Sequence, residues 1–197
     1  MSETWLTSDL HLGHEKVAQI RGFDSTRDHD RAVLNGLTRR IGLNDNVFLL
    51  GDLAMGPDKD SHLRAIRDAA GHDAHITVVL GNHDRPHPMH NNGHRQLFKW
   101  LHLLADAVVT TATIKHAGQV HLMSHFPYDG EGATRPDAVD RDTQWRLRDE
   151  GTPLIHGHVH DTVRARTSRL GTPMYHVGLD AWDLAPVTIH ELTQETP

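Results

Sequence analysis

At 197 residues without a single cysteine, the chain has the length of one domain (1–197) with a real core, and disulfide or thiolate chemistry is excluded. Its 26 acidic and 20 basic residues give a formal charge of −6, which argues against broad, non-specific nucleic-acid binding but allows a nucleotide held by a few local arginines. The start, Met1-Ser2-Glu3-Thr4, lacks the basic and apolar regions of a leader, and no apolar run approaches membrane-spanning length, so a cytoplasmic protein without membrane contact is expected.

Strand-like runs are expected near 4–8, 46–50 and 76–80, alternating with helices near 28–41 and 58–70. In the first helix Ala32, Val33, Leu37 and Ile41 form an apolar stripe, Arg31, Arg39 and Arg40 face solvent, and Gly42 is a natural stop. This β-α-β-α-β order predicts parallel strands. The second half is richer in strands, about 107–116, 119–124, 153–156, 174–178 and 186–190, with Ala117-Gly118 marking a hairpin. Two packed sheets with helices outside follow from this order. Residues 85–95 and 126–143 have little regular pattern and are expected to emerge as loops beside the site. The pattern specifies no oligomeric state.

Each of five apolar runs ends in a short polar block. These are Asp9-Leu10-His11, Gly51-Asp52, Gly81-Asn82-His83-Asp84, Ser124-His125 and Gly157-His158-Val159-His160. Strand ends share one edge of a sheet, where loops can converge on a common site. Asp, Asn and His are the oxygen and nitrogen donors that hold two divalent cations side by side. Singly, Asp9 or Asp52 would more often cap a loop, and His125 would more often be a satisfied core histidine. Jointly, burying so many polar groups together without a cation would be costly. Asp52 is the natural bridge, since a carboxylate has one oxygen for each cation. The chain reads as a binuclear metal hydrolase.

The five blocks, in this order, resemble the D-x-H, GD, GNHD, H and GH-x-H motifs of the calcineurin-like metallophosphoesterases, over about residues 5 to 190. Val177-Gly178-Leu179-Asp180-Ala181-Trp182 and Pro186-Val187 resemble the closing segment of small, single-domain bacterial and phage-type members. The resemblance implies an α/β fold, a four-layer α-β-β-α sandwich of two mixed sheets flanked by helices. It implies one cation on Asp9, His11, Asp52 and His160, and a second on Asp52, Asn82, His125 and His158. Asn82 would ligate through its amide oxygen without adding charge. His158 and His160, two apart in an extended segment, would face the cleft together. Mn²⁺ is the favoured metal, with Fe, Zn or Ni accepted by the same donors. A hydroxide bridging the metals would attack phosphorus directly, without a phosphoenzyme. His83 would be the non-ligand histidine that protonates the leaving alkoxide, with Asp84 either orienting His83 or capping a turn.

Arg85, beside the GNHD block, and Arg21 and Arg141 are the candidates for a substrate phosphate or nucleotide edge, with a salt bridge as the alternative for each. His14 belongs to a Ser8-to-His14 start similar to that of several family members, which places it near the metals. His87, His90 and His94 read as solvated loop residues or a substrate rim, and His156 as a partner of the last block. Many family members carry Asn where this chain has His176. The second block continues Leu53-Ala54-Met55-Gly56, unlike the GD-x-x-DRG of protein phosphatases, and there is no room for the capping domain of exonuclease members. No apolar helix corresponds to the insertion of lipid A pathway hydrolases. A phosphodiesterase for a small nucleotide-like substrate, such as a 2′,3′- or 3′,5′-cyclic nucleotide, is therefore expected. The alternatives are a phosphomonoesterase for a small phosphorylated metabolite and a non-catalytic interaction module.

Overall fold

The computed structural model describes residues 2–133, 135 and 138–196. Among them the first-half apolar runs become β1 (Thr4–Thr7), β2 (Asn46–Leu49), β3 (His75–Val79) and β4 (Ala107–Val109), which pair in parallel in that order. Their connections carry α1 (Glu15–Ile20), α2 (Thr26–Arg40), α3 (Lys59–Ala70) and α4 (Leu97–Leu103). The second sheet has the order β5 (Thr111–His116), β6 (Gln119–Ser124), β7 (Leu154–His156), β9 (Pro173–His176) and β8 (Ala165–Thr167). Here β6, β7 and β9 are parallel and the edge strands β5 and β8 antiparallel. Finally β10 (Val187–Thr188) returns to the first sheet, antiparallel to β1, and α5 (Ile189–Leu192) follows it. The expected α/β class with two mixed sheets is the observed one.

Two apolar layers hold this together. Val47, Leu49, Ile76 and Val78 meet Val33 and Leu37 of α2, Leu63 and Ile66 of α3, and Trp100 of α4. Leu6, Val79 and Val187 of the first sheet meet Met123 and Ile155 of the second, with Ile189 and Leu192 of α5 in the same cluster. The other face of the second sheet differs from expectation. Leu154 and Met174 are covered there by Tyr128 and, partly buried, Leu147, which belong to the coil between β6 and β7. Among the described residues, coil with one short 3-10 turn (Thr143–Trp145) stands where a helical layer was expected.

The local departures have local causes. The expected 107–116 strand is broken at Thr110, so β4 lies in the first sheet and β5 in the second. The expected 186–190 strand stops at Thr188, because Thr188 and Glu191 form a reciprocal capping box that starts α5. The α2 helix ends before Gly42, whose amide donates to Asp45 Oδ2 at 2.8 Å. The hairpin is as expected: Ala117 (φ 47°) and Gly118 (φ 85°) both take the left-handed conformation that a tight two-residue turn requires. No helix among the described residues is long and apolar enough to cross a membrane.

The site lies where the parallel strands of both sheets end. Ser8 after β1 bridges to Gly178 after β9, and the Ser8 amide donates to Val177 O at 3.1 Å. The Asp9 and His11 amides donate to Gly51 O and Asp52 O, both at 2.9 Å, and the Gly157 amide to His125 O at 3.0 Å. These cross-links join the first block to the second and the fourth to the fifth, and Asp84 of the third accepts the Asp52 amide at 2.9 Å, so the blocks form one bed.

Candidate metal centre

All seven expected ligands converge on this bed. His11 Nε2 and His160 Nε2 are 3.0 Å apart, with Asp9 Oδ1 at 3.9 and 3.6 Å from them. Asn82 Oδ1 lies 3.1 Å from His125 Nε2 and 3.0 Å from His158 Nδ1. Asp52 Oδ2 stands between the two groups, 3.6 Å from His11 Nε2 and 3.5 Å from His125 Nε2. Asp9 Oδ1 is buried with no hydrogen-bond partner among the described residues, while Oδ2 accepts from Ser8 Oγ (2.6 Å) and the His158 amide (3.0 Å). A buried carboxylate oxygen aimed at two ring nitrogens fits a cation better than it fits an apolar interior.

The backbone is bent to achieve this. Asp9, His11, Asp52, His158 and His160 all have φ between 47° and 73°, a region that non-glycine residues rarely occupy and that clusters at functional sites. His158 and His160 thus do not share the side of an extended segment, as their spacing suggested. They converge through a left-handed turn in which the Val159 amide donates to Gly157 O at 2.9 Å. The motif glycines exist for close approach: a Cβ on Gly81 would meet Asp52 N at 2.7 Å and His125 Nδ1 at 2.9 Å.

Two carboxylates in a closed bed set the electrostatics. Burial would raise the Asp52 carboxyl, but the His125 and His11 imidazoles outweigh it and hold it well below the usual carboxylate range. Asp9 is likewise held low by His160 and His125 against its burial. Burial disfavours the charged form of His125, yet Asp52 and Asp9 push it up to about 10. Burial dominates for His11 and His158, pushed down to about 3 and about 2.

His83 stands over the bed. Its side chain is 43% exposed, its Nε2 is 3.9 Å from Asp52 Oδ2, and its amide donates to Asp52 Oδ1 at 2.8 Å. Asp84 does not orient it. The buried Asp84 carboxylate accepts the amides of Asp52 (2.9 Å), Leu53 (3.1 Å) and Gly81 (2.8 Å), and burial with the nearby Asp52 charge pushes it up to about 7. It clamps two motif loops together, which corrects its expected catalytic role.

The three arginines separate. Arg21 is internal, its side chain 4% exposed. It forks onto Asp180 (Nε to Oδ1 2.9 Å, Nη2 to Oδ2 2.8 Å) and donates to Asp9 O at 2.8 Å, so it is a strut and not a substrate contact. Arg85 is exposed and makes no side-chain hydrogen bond among the described residues. Arg141, half-exposed, is held by Glu131 Oε2 at 2.6 Å, with its Nη2 3.4 Å from His158 Nε2 at the rim.

Two carboxylates near the ligands were not among the candidates from the sequence. Asp180 Oδ2 faces His160 Nδ1 at 3.2 Å, and buried Glu131 faces His158 Nε2 at 3.8 Å and also accepts Arg146. His90, expected as a solvated loop or rim residue, is half-buried, and its Nε2 donates to Asn82 O at 2.9 Å. His87 is buried, with its ring 5.0 Å from that of Trp145, and His94 is exposed. His14 caps α1, and its ring lies edge-to-face with that of His11, centroids 5.4 Å apart.

Behind the bed, His156 and His176 are fully buried and stacked, ring centroids 5.5 Å apart. His156 Nδ1 donates to Gly157 O at 2.9 Å, but its Nε2 and both His176 nitrogens lack partners among the described residues. Burial therefore pushes both rings below the usual histidine range. Such rings stay neutral when folded, while the unfolded chain takes up protons below about pH 6.5. Their contribution to stability is full above that pH and shrinks as pH falls. His176→Asn is expected to flatten the acid side of the profile, by at most about 1.4 kcal/mol per pH unit below 6.5. Thermal melts of chelated protein between pH 7.5 and 5 check this; parallel profiles for both proteins would refute it.

No family model matches the chain. It is 36% identical over 190 residues to the gene 66 protein of Mycobacterium phage L5, covering 92% of this chain and 88% of that one. It is 39% identical over 193 residues to the gene 66 protein of Mycobacterium phage D29, covering 95% and 93%. Among solved structures, a protein of unknown function from Aquifex aeolicus superposes with a TM-score of 0.69 at 21% identity, over 98% of this chain and 99% of that one. A phosphopantetheinyl hydrolase from Mycobacterium tuberculosis superposes with a TM-score of 0.51 at 12% identity, over 100% and 98%. At these identities the two structures share the fold.

Proposed function

The chain belongs to the family of the Mycobacterium phage gene 66 proteins, and for it we propose a binuclear-metal phosphodiesterase of calcineurin-like metallophosphoesterase type, acting on a small nucleotide-like phosphodiester. The observation that carries this reading is the Asp52 carboxylate standing between two nitrogen and oxygen clusters, with the orphaned Asp9 oxygen beside one of them. Asp9, His11, Asp52 and His160 would hold one cation, and Asp52, Asn82, His125 and His158 the other. Bound there, two divalent cations, Mn²⁺ by preference, supply the Lewis-acid charge that a phosphoryl group requires. The hydrolase fold neighbour supports the reading through fold alone. The two sheets with helices against the first also suit the four-layer sandwich, with coil in place of its last layer.

The chain's own residues do the rest. Asp52 is shared between the clusters and Asn82 adds an oxygen without charge, so among the seven ligands only Asp9 and Asp52 are carboxylates, whose charge two bound dications would more than offset. His83, exposed above Asp52, delivers a proton to the leaving alkoxide. Arg85, exposed and without a side-chain hydrogen bond among the described residues, is the guanidinium available to phosphate or ribose oxygens, while Arg141 at the rim is held by Glu131.

The test is hydrolysis of bis-p-nitrophenyl phosphate against p-nitrophenyl phosphate while Mn²⁺ is titrated into chelated protein. Metal-dependent turnover of the diester is expected. Preference for the monoester would replace this reading by the phosphomonoesterase. Turnover of neither, with two ions bound, would leave a non-catalytic binding protein.

A further inference from the structure

Resting on the binuclear reading, we propose that Asp180 and Glu131 are positioning residues, each of which sets the cation affinity of one of the two sites through one histidine. The argument starts from which ring nitrogen faces inward. His160 turns Nε2 toward His11 and Asp9 and leaves Nδ1 on Asp180 Oδ2 at 3.2 Å. His158 is reversed. Its Nδ1 faces Asn82 and His125, and its Nε2 faces Glu131 Oε2 at 3.8 Å. An imidazole that ligates through one nitrogen carries its proton on the other, and that proton needs an acceptor. The two rings therefore demand opposite tautomers, and each finds a carboxylate behind it.

Both carboxylates are themselves fixed. Arg21 forks onto Asp180 through two hydrogen bonds, and the same guanidinium also holds Asp9 O, tying the carboxylate to the ligand loop it serves. Glu131 is buried with Arg141 on one oxygen and Arg146 on the other. These guanidinium contacts hold both carboxylates in place behind the rings they face, and a fixed carboxylate behind a ligating imidazole raises its basicity. His125 gets the weaker version, its Nδ1 donating to the Leu50 carbonyl at 2.7 Å. The 3.4 Å contact between Arg141 Nη2 and His158 Nε2 cannot be a hydrogen bond once Nε2 carries a proton. In that tautomer Arg141 serves only Glu131.

The prediction is selective. Asp180→Asn should weaken the site of Asp9, His11 and His160, and Glu131→Gln the site of Asn82, His125 and His158, each by about 10- to 100-fold. In each variant the other site keeps its affinity. Mn²⁺ titration calorimetry on chelated wild type and variants reads the two affinities directly. Two ions in wild type with one weakened step per variant, and a different step in each, is the expected result. Unchanged affinities, or equal loss at both steps, would overturn the proposal. Fewer than two ions in wild type would instead defeat the binuclear reading beneath it. Should a variant unfold, imidazole NMR of Zn²⁺-loaded wild type decides: His160 must be protonated at Nδ1 and His158 at Nε2, and the opposite pattern refutes the assignment.

Discussion

Asp52→Asn is expected to leave at most one bound divalent cation and to lower phosphodiester turnover by roughly 10³-fold or more, as loss of several kcal/mol of metal-borne stabilisation implies. The change is isosteric, so its effect is a charge effect. Asp52 Oδ2 is the atom that meets both clusters, at 3.6 Å from His11 and 3.5 Å from His125. Asp9 stands beside the first cluster and accepts hydrogen bonds on its other oxygen. An amide oxygen at position 52 would leave that single carboxylate facing two dications, and mutual repulsion would then expel one. Metal content by elemental analysis, read beside turnover, is the measurement. Two tightly held ions in the variant would show that Asp52 is not the shared ligand. A thermal melt in chelator separates this from misfolding, because Asp52 also accepts the His83 amide.

His83→Asn should do the opposite: retain both ions and lose turnover. A positioned general acid contributes roughly 10²- to 10⁴-fold, and the loss should fall on kcat. The size must depend on the leaving group. An alkoxide needs the proton, so an alkyl or ribose ester should show the full effect. Nitrophenolate departs as a stable anion, so bis-p-nitrophenyl phosphate should show much less. Equal losses on both substrates would assign His83 to charge stabilisation instead of proton transfer, and full turnover on the alkyl ester would remove it from the mechanism. Its exposure suits the role, since the group must reach a substrate oxygen that the buried rings cannot.

The candidate ligands were legible because five short blocks resemble a family's motifs, and because each donor follows an apolar strand within a few residues. Asp9, His11, Asp52, Asn82, His125, His158 and His160 could be named from local context, and the parallel first sheet from the order of its apolar runs. Asp84 could not be resolved the same way. A carboxylate next to a histidine in sequence suggests a pair, yet its oxygens are consumed by three amides, two of them from another loop. Arg21 likewise reads as a free guanidinium until the fold brings Asp180 to it from 159 positions away.

Residue types and local context mark the chemistry of the bed: which residues are candidate cation donors, and at which strand ends they stand. How that bed is supported emerges only when the chain folds. Thr110 splits one apolar run between two sheets because alternation encodes burial and not partner. Coil covers the outer face of the second sheet because Tyr128 and Leu147 can shield Leu154 and Met174 without helical spacing. Asp180 and Glu131 stand behind opposite nitrogens of two neighbouring histidines because a hydrogen bond to a ring depends on its direction in space, which no spacing along the chain encodes.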